Sequence, residues 1–468
     1  MKRILAAGAA ALMMIPALSA GAVTAQALNF TLKNPIMSEA AILINLDTDT
    51  VIHEKNPDDK QMPGTLTNIM TAVVVLENWN DLGFEVTMNE SVYSDLYNIQ
   101  YTDDLRFIDI ENGDVLTISD LLYAMMLTSS IEASQTLAYT VGEGKVDAFV
   151  EMMNTKAAEI GMKDTHFTNP TGMYDENQYT TARDMATLTR YALKVPLFDT
   201  ISTTYAYNPS VPNLDRHKNH DQWIWNHSNT MMDPDSTDYY PGARGIKTST
   251  LEAAGRNIVA TASKDGNNYL AILMRAPLTD NEGNTMYYHI RDAKSLFDWA
   301  FKHFSYTVVL AGTAEMGELP VSLADGHDYV LARPKNEVTM LWNDEVDTAT
   351  ISKDDITWYK PALQAPVKKG ETLGEVTLKY GGEDLRTVEL VAVSDVQRSA
   401  SKYNIFAASR FPKSSWFKKA IIVSCMLCAI YILMCVYSYV IFKNKGKPVK
   451  AKMAIPKVDE KKKKKKVE

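Results

Sequence analysis

Ala41-Ile42-Leu43-Ile44-Asn45-Leu46 is a strand-like run of apolar residues. The stretch from Ile69 through Trp79 is apolar on nearly every side, the pattern of a centrally buried helix. Helical and strand patterns continue to alternate up to about Phe304. After Tyr306 the pattern turns to short alternating strands at 329–332, 337–342 and 375–378, broken by Gly, Asp and Pro, which predicts a small all-β domain. Between Ser394 and Lys418 apolar content drops and Ser, Lys and Arg dominate, with Phe406, Phe411, Trp416 and Phe417 interspersed. That composition reads as a stalk ending at a membrane interface, where aromatic and basic side chains can each satisfy both phases.

The two ends of the chain carry different signals. Lys2 and Arg3, an apolar run from Ile4 and the small-residue exit Ala25-Gln26-Ala27 have the layout of a cleaved secretory signal peptide. Residues 420–442 contain no charged side chain and are long enough to cross about 30 Å of hydrocarbon as a helix. Beyond them the lysines culminate in the block 461–466, and this heavier positive side is expected to stay in the cytoplasm. The expected organisation is a signal peptide at 1–27, an α/β domain at 28–304 and an all-β domain at 305–394. A stalk at 395–419, a transmembrane helix at 420–442 and a basic cytoplasmic tail at 443–468 follow. This places the main domains outside a bacterial cytoplasmic membrane crossed once.

Charge and cysteine usage narrow the function classes. The formal charge of −9 conceals roughly −20 on the region between signal and tail, which disfavours nucleic acid as a partner of the exported part. The lysine block suits orientation and attachment to anionic lipid headgroups. Cys425, Cys428 and Cys435 all fall in the apolar segment, so the exported region has neither a disulfide framework nor a thiol nucleophile. His217 and His220, with Asp215, Asp221 and His227 nearby, could suggest a metal site. The segment has no helix-borne His-Glu-x-x-His arrangement and no cysteine, and neither metal nor cofactor is expected. The nearby aromatics Trp223, Trp225, Tyr239 and Tyr240 could stack on sugar or peptide, but packing is their commoner use.

Several stretches together resemble the serine D-Ala-D-Ala carboxypeptidases of the low-molecular-mass penicillin-binding type. They are Ala41-Ile42-Leu43-Ile44-Asn45, the segment from Met62 to Ala72, Leu121-Leu122-Tyr123-Ala124-Met125-Met126-Leu127, and His166-Phe167-Thr168-Asn169-Pro170-Thr171-Gly172-Met173. The segment from Tyr179 to Ala186 and Gly245-Ile246-Lys247-Thr248 follow, and Ala365-Pro366-Val367-Lys368-Lys369-Gly370-Glu371 resembles the family's second domain. The resemblance implies a transpeptidase-like α/β domain, an antiparallel sheet flanked by helices plus a helical subdomain, followed by the all-β domain and membrane helix. It also implies three catalytic motifs: Ser-x-x-Lys, Ser-x-Asn and Lys-Thr-Gly.

All three motifs depart from that pattern here. Thr65-Leu66-Thr67-Asn68 stands for the first, so the nucleophile position carries an extra methyl and the base position an amide with no basic nitrogen. Ser129-Ser130-Ile131 stands for the second, with an apolar group where a substrate-binding amide is usual. Lys247-Thr248-Ser249 stands for the third: Lys247 and Thr248 retain the means to bind a carboxylate, and Ser249 adds a side chain where glycine permits close approach. The catalytic positions are thus Thr65, Asn68 and Ser129, and the substrate-binding positions Lys247, Thr248, Ser249 and Ile131. Helix capping is a structural alternative for Thr67. The leading expectation is an inactive or nearly inactive homologue that binds peptidoglycan stem peptides or a cell-wall protein. The alternatives are a slow carboxypeptidase with Thr65 as nucleophile and Ser129 or Lys247 relaying the proton, and a scaffold acting through the β domain.

Overall fold

The computed structural model describes residues 30, 32–98, 108, 110–210 and 223–445. The expected signal peptide, the residues Asp215, His217, His220 and Asp221, and the lysine block 461–466 lie outside the described residues.

The first apolar run forms strand β1 (Ala40–Asn45), buried at every position, beside β2 (Thr50–Lys55). Three strands from much later in the chain, β3 (Ala243–Leu251), β4 (Gly255–Lys264) and β5 (Asn267–Ala276), complete the sheet in the order β2-β1-β5-β4-β3. All its pairings are antiparallel, with Ala40 opposite Met274 and Asn45 opposite Tyr269. Alternate side chains of a strand point to opposite faces, so burial of consecutive residues in β1 and β5 requires cover on both. Helix Ala182–Ala192 packs on β1 and β5, and a later helix covers β4 and β5.

The second apolar run is helix α1 (Asn68–Asn78), buried without interruption from Asn68 to Val75. It lies against α2 (Ile131–Val141), Val146–Ile160 and Ala182–Ala192, which explains why it is apolar all round. The helix on the sheet is α3 (Tyr288–His303), tied to the start of β1 by Asp292, whose carboxylate accepts from Ser38 N and Ser38 Oγ, both at 2.7 Å.

The later chain is β-rich. A six-stranded sheet runs in the order Ser352–Trp358, Thr372–Tyr380, Glu383–Ala392, Tyr329–Pro334, Gly317–Ser322, Leu363–Gln364. The chain divides into two compact units. One comprises Met1–Val309, Val338–Lys353 and Leu378–Arg386; the other comprises Leu310–Glu337, Asp354–Thr377 and Thr387–Glu468. Within the first, Phe30 packs edge-on against Phe304 and Trp342, and Trp342 against Tyr380, so an aromatic cluster draws in the two later segments.

The segment read as a stalk is largely helical. Ala400–Arg410 forms a helix capped by the Ser399 hydroxyl, which accepts from Lys402 N, while Lys402 Nζ donates to Ala324 O at 2.8 Å. After Phe411–Lys413 the chain enters one long helix, Ser415–Lys445. Within Ser415–Asn444 this helix is long and apolar enough to cross a membrane.

Candidate active site

Thr65 sits in the single 3-10 turn Gly64–Thr67 that leads directly into α1. Its approach is held from two sides. Asn257 of β4 donates from Nδ2 to Met62 O at 3.2 Å and to Pro63 O at 3.1 Å. The loop at Gly172 presses on Gly64: Gly172 has φ +84°, and a β-carbon there would lie 2.0 Å from the Gly64 carbonyl oxygen. Only glycine lets these two backbones meet.

The turn also explains why Thr67 is not a capping residue, contrary to the sequence expectation. Thr67 has helical dihedrals (φ −50°, ψ −32°) and its side chain makes no capping bond. The turn runs straight into α1, so Thr67 is already in helical conformation and not in the extended one from which a capping side chain reaches the N–H groups two and three residues on. Thr67 Oγ1 is buried without a hydrogen-bond partner among the described residues.

Asn68 is fully buried, and its amide bonds Ser134 and Pro170 and not Thr65. Nδ2 donates to Ser134 Oγ at 3.1 Å and to Pro170 O at 3.2 Å, and Oδ1 has no partner among the described residues. The Thr65 hydroxyl donates instead to the backbone carbonyl of Thr248 at 2.9 Å, and the Thr65 N–H donates to Ser249 Oγ at 2.9 Å. The 3-10 turn thus docks onto β3 through both its side chain and its backbone.

Ser129 and Lys247 meet on the other side. The segment Ala124–Thr128 is a π-helical turn ended by Ser129 in the left-handed conformation (φ 64°, ψ 34°), a conformation costing about 1–2 kcal/mol for a residue with a β-carbon. The distortion exposes carbonyls at the helix end, and the fully buried Lys247 ammonium takes them. It donates to Met125 O at 2.8 Å, Met126 O at 2.9 Å and Ser129 Oγ at 2.7 Å. Ser129 Oγ in turn lies 3.4 Å from Thr65 Oγ1. Five of the seven residues singled out from sequence, Thr65, Ser129, Lys247, Thr248 and Ser249, are therefore brought into one hydrogen-bonded assembly. Ile131 at the start of α2, Asn68 and Lys247 are all buried and none lines the cleft, so Lys247 touches it through Ser129 and, contrary to the sequence expectation, does not offer its ammonium to a ligand carboxylate.

The cleft itself encloses about 200 Å³ and is lined chiefly by hydroxyls, from Thr65, Ser129, Ser228, Thr248, Ser249 and Thr250 among others. Arg256, Tyr287 and His289 also line it. Ser228 Oγ and Thr248 Oγ1 are 2.7 Å apart. Arg256 bonds Thr250 Oγ1 at 3.1 Å and lies 4.4 Å over the Tyr287 ring. Burial, followed by the nearby Arg256 charge, pushes the His289 imidazole down to about 3, so it is neutral and a poor base. Sequence reasoning missed these three residues. Gly255 and the pairing of Thr250 with Arg256 across the β3–β4 hairpin were the only local signal, and nothing local marks His289. A larger groove of about 510 Å³, lined by Lys33, Arg291, Lys302 and others, shares no residue with this cleft.

Behind Lys247 lies His227. Its Nδ1 accepts from Asn229 N, so Nε2 carries the proton and donates to Ser202 O at 3.2 Å. Burial and the Lys247 charge lower it to about 4. Trp223 and Trp225 are buried edge-to-face against each other, with Trp225 stacked on Tyr207, so these two serve packing.

The family model for D-alanyl-D-alanine carboxypeptidases matches residues 25–277, more than half the chain. The chain belongs to that family. Residues 315–398 match the C-terminal domain of penicillin-binding protein 5. The D-alanyl-D-alanine carboxypeptidase DacF of Bacillus subtilis is 25% identical over 362 residues, covering 77% of this chain and 86% of the relative. The carboxypeptidase of Streptomyces sp. K15 is 29% identical over 270 residues, covering 55% and 87%. Penicillin-binding protein 5 of Haemophilus influenzae shares the fold at a TM-score of 0.54 and 23% identity, covering 79% of this chain and all of that one. The K15 DD-transpeptidase structure matches at 0.50 and 26% identity, covering 58% of this chain. In this chain the cleft is lined by Thr65, Ser129 and Thr248, and Asn68 is not among its lining residues.

Proposed function

We propose that this family member binds the D-Ala-D-Ala end of peptidoglycan stem peptides, or a cell-wall protein presenting similar chemistry, without acylating itself. On this reading the two domains face the outside of a bacterial cytoplasmic membrane, with the helix Ser415–Lys445 as anchor. The observation that carries it is the state of the Thr65 hydroxyl. Its proton goes to the Thr248 carbonyl, and its other contact is the Ser129 hydroxyl; neither is a base. Asn68, at the position matching the family's lysine, directs an amide to Ser134 and Pro170. A hydroxyl with no base stays protonated, and general-base assistance contributes about 10²- to 10⁴-fold. The motifs are accordingly degenerate in chemistry as well as in spelling.

The full-length protein in detergent micelles, incubated with labelled penicillin, is expected to form no covalent adduct and to release no D-alanine from a pentapeptide. Time-dependent label on Thr65 refutes the proposal. Restoring Thr65→Ser and Asn68→Lys together is not expected to return ordinary rates, because Ile131 and Ser249 remain.

Binding chemistry survives where catalysis does not. With His289 neutral, Arg256 carries the only formal charge among the described residues lining the cleft, set among hydroxyls that suit a peptide's terminal carboxylate. Arg256→Gln should weaken a D-Ala-D-Ala-ended peptide about tenfold or more, since a charge-assisted hydrogen bond contributes about 1.5–3 kcal/mol. The same peptide with an amidated end should respond little, and calorimetric titration of both peptides distinguishes the two cases.

A second reading is favoured by one geometry, the row Lys247 Nζ, Ser129 Oγ, Thr65 Oγ1 at spacings of 2.7 and 3.4 Å. It would make the chain a slow carboxypeptidase with Thr65 as nucleophile. Against it, Lys247 donates to three acceptors and so has no lone pair to receive a proton. D-alanine release abolished by Thr65→Ala would establish this second reading.

A further inference from the structure

We infer that the Ser249 hydroxyl occupies the place on the Thr65 amide that a ligand's carbonyl oxygen would take, so the cleft holds acyl ligands without polarising them. This rests on the cleft being a peptide-binding site, as proposed above. Thr65 N donates to Ser249 Oγ at 2.9 Å. That oxygen packs onto the bare α-carbon of Gly64, where a β-carbon would lie only 2.2 Å from it. Ser249 is only 3% exposed yet lines the cleft beside Thr65.

The chemistry follows from one proton. A backbone N–H beside the reacting hydroxyl stabilises a carbonyl in attack only if it lies about 2.7–3.1 Å from the developing oxyanion. An oxygen already bonded at 2.9 Å excludes a second one from that position. The Ser249 hydroxyl keeps its own proton, which no described acceptor takes, and so presents a neutral donor one atom further out. The chain therefore replaces a polarising amide by an ordinary hydroxyl. Gly64 is essential to the arrangement, because any side chain there would push the hydroxyl away. Ser249 is thus a positioning residue that sets which ligand state the cleft prefers: the planar ground-state carbonyl over a tetrahedral oxyanion.

The test reads the Thr65 amide directly. In the full chain in detergent micelles, hydrogen exchange of a peptide spanning residues 64–67 should be faster in Ser249→Ala and Ser249→Gly than in the parent. Adding an acetylated peptide ending in D-Ala-D-Ala should slow it again in both variants, and Ser249→Gly should bind that peptide about three- to tenfold tighter than the parent, the value of one hydrogen bond. Ser249→Thr, which keeps the hydroxyl, should exchange like the parent. Unchanged exchange at Thr65 in both variants, or variants that hold the peptide no better than the parent, overturns the inference. If the parent fails to bind the peptide while the variants gain binding, the proposed function fails and the role of Ser249 stands.

Discussion

Lys247→Met is expected to cost the first unit about 3–5 kcal/mol and to abolish binding in the cleft, the largest effect of any single change considered for this site. The size follows from what the ammonium holds. Three acceptors, the carbonyls of Met125 and Met126 and the Ser129 hydroxyl, depend on one fully buried Nζ. Methionine fills much of the same volume but donates nothing, so the acceptors stay buried and unpaired at about 1–3 kcal/mol each. Ser129 also loses the bond that anchors its left-handed backbone, and its hydroxyl is then free to leave Thr65. The loss should appear as a lowered transition temperature of the first unit in calorimetry. A transition within 1 °C of the parent's would show that the helix end satisfies its carbonyls without the lysine.

Acid should destabilise the same unit from about pH 6.5 downward. His227 and His289 are depressed to about 4 and about 3 from an ordinary 6.5, each chiefly by burial and then by a neighbouring cation, Lys247 and Arg256 respectively. Below pH 6.5 the unfolded chain binds protons that the folded chain refuses. Stability is therefore complete above that pH and falls as pH drops, by about 1.4 kcal/mol per unit for each imidazole, until the folded-state values are reached. By pH 4 the loss comes to roughly 3 kcal/mol per histidine. The ion-paired carboxylate of Asp58, lowered from 3.8 by its bond to Arg183, contributes its own loss only at lower pH. Glu132, raised from 4.5 by burial, acts in the opposite sense and slightly offsets the slope. Denaturant titrations between pH 7 and 4.5 should show the decline, to which His53, also lowered chiefly by burial, adds in the same direction, and replacing His289 by Gln should make it visibly shallower. A flat profile over that window would show that these imidazoles accept protons in the folded state.

Much of the fold could be read from local pattern. β1 and α1 each carry an unbroken apolar signature because each is enclosed on all sides, and the short strands after Tyr306 announce themselves by alternation. The segment before the apolar helix was harder: its composition suggested a stalk without indicating its conformation, and a helix forms at Ala400–Arg410, where Ser399 caps the start and Lys402 bonds to Ala324. Thr67 does not cap because the preceding turn already holds it in helical conformation.

Residue type alone determined that the chain before the apolar helix has no cysteine and that position 68 carries no amine; no folding can add a basic nitrogen to an asparagine. Only the tertiary structure decided who uses the remaining hydrogen-bonding groups. Thr65 and Ser249 are 184 residues apart in the chain, and Lys247 and Ser129 are 118 apart, so neither bond leaves a trace in any local window. The physical reason is that periodicity records which side of an element is buried, whereas a site is made of single directional bonds between elements, and their partners are chosen only when the sheet and helices close around them.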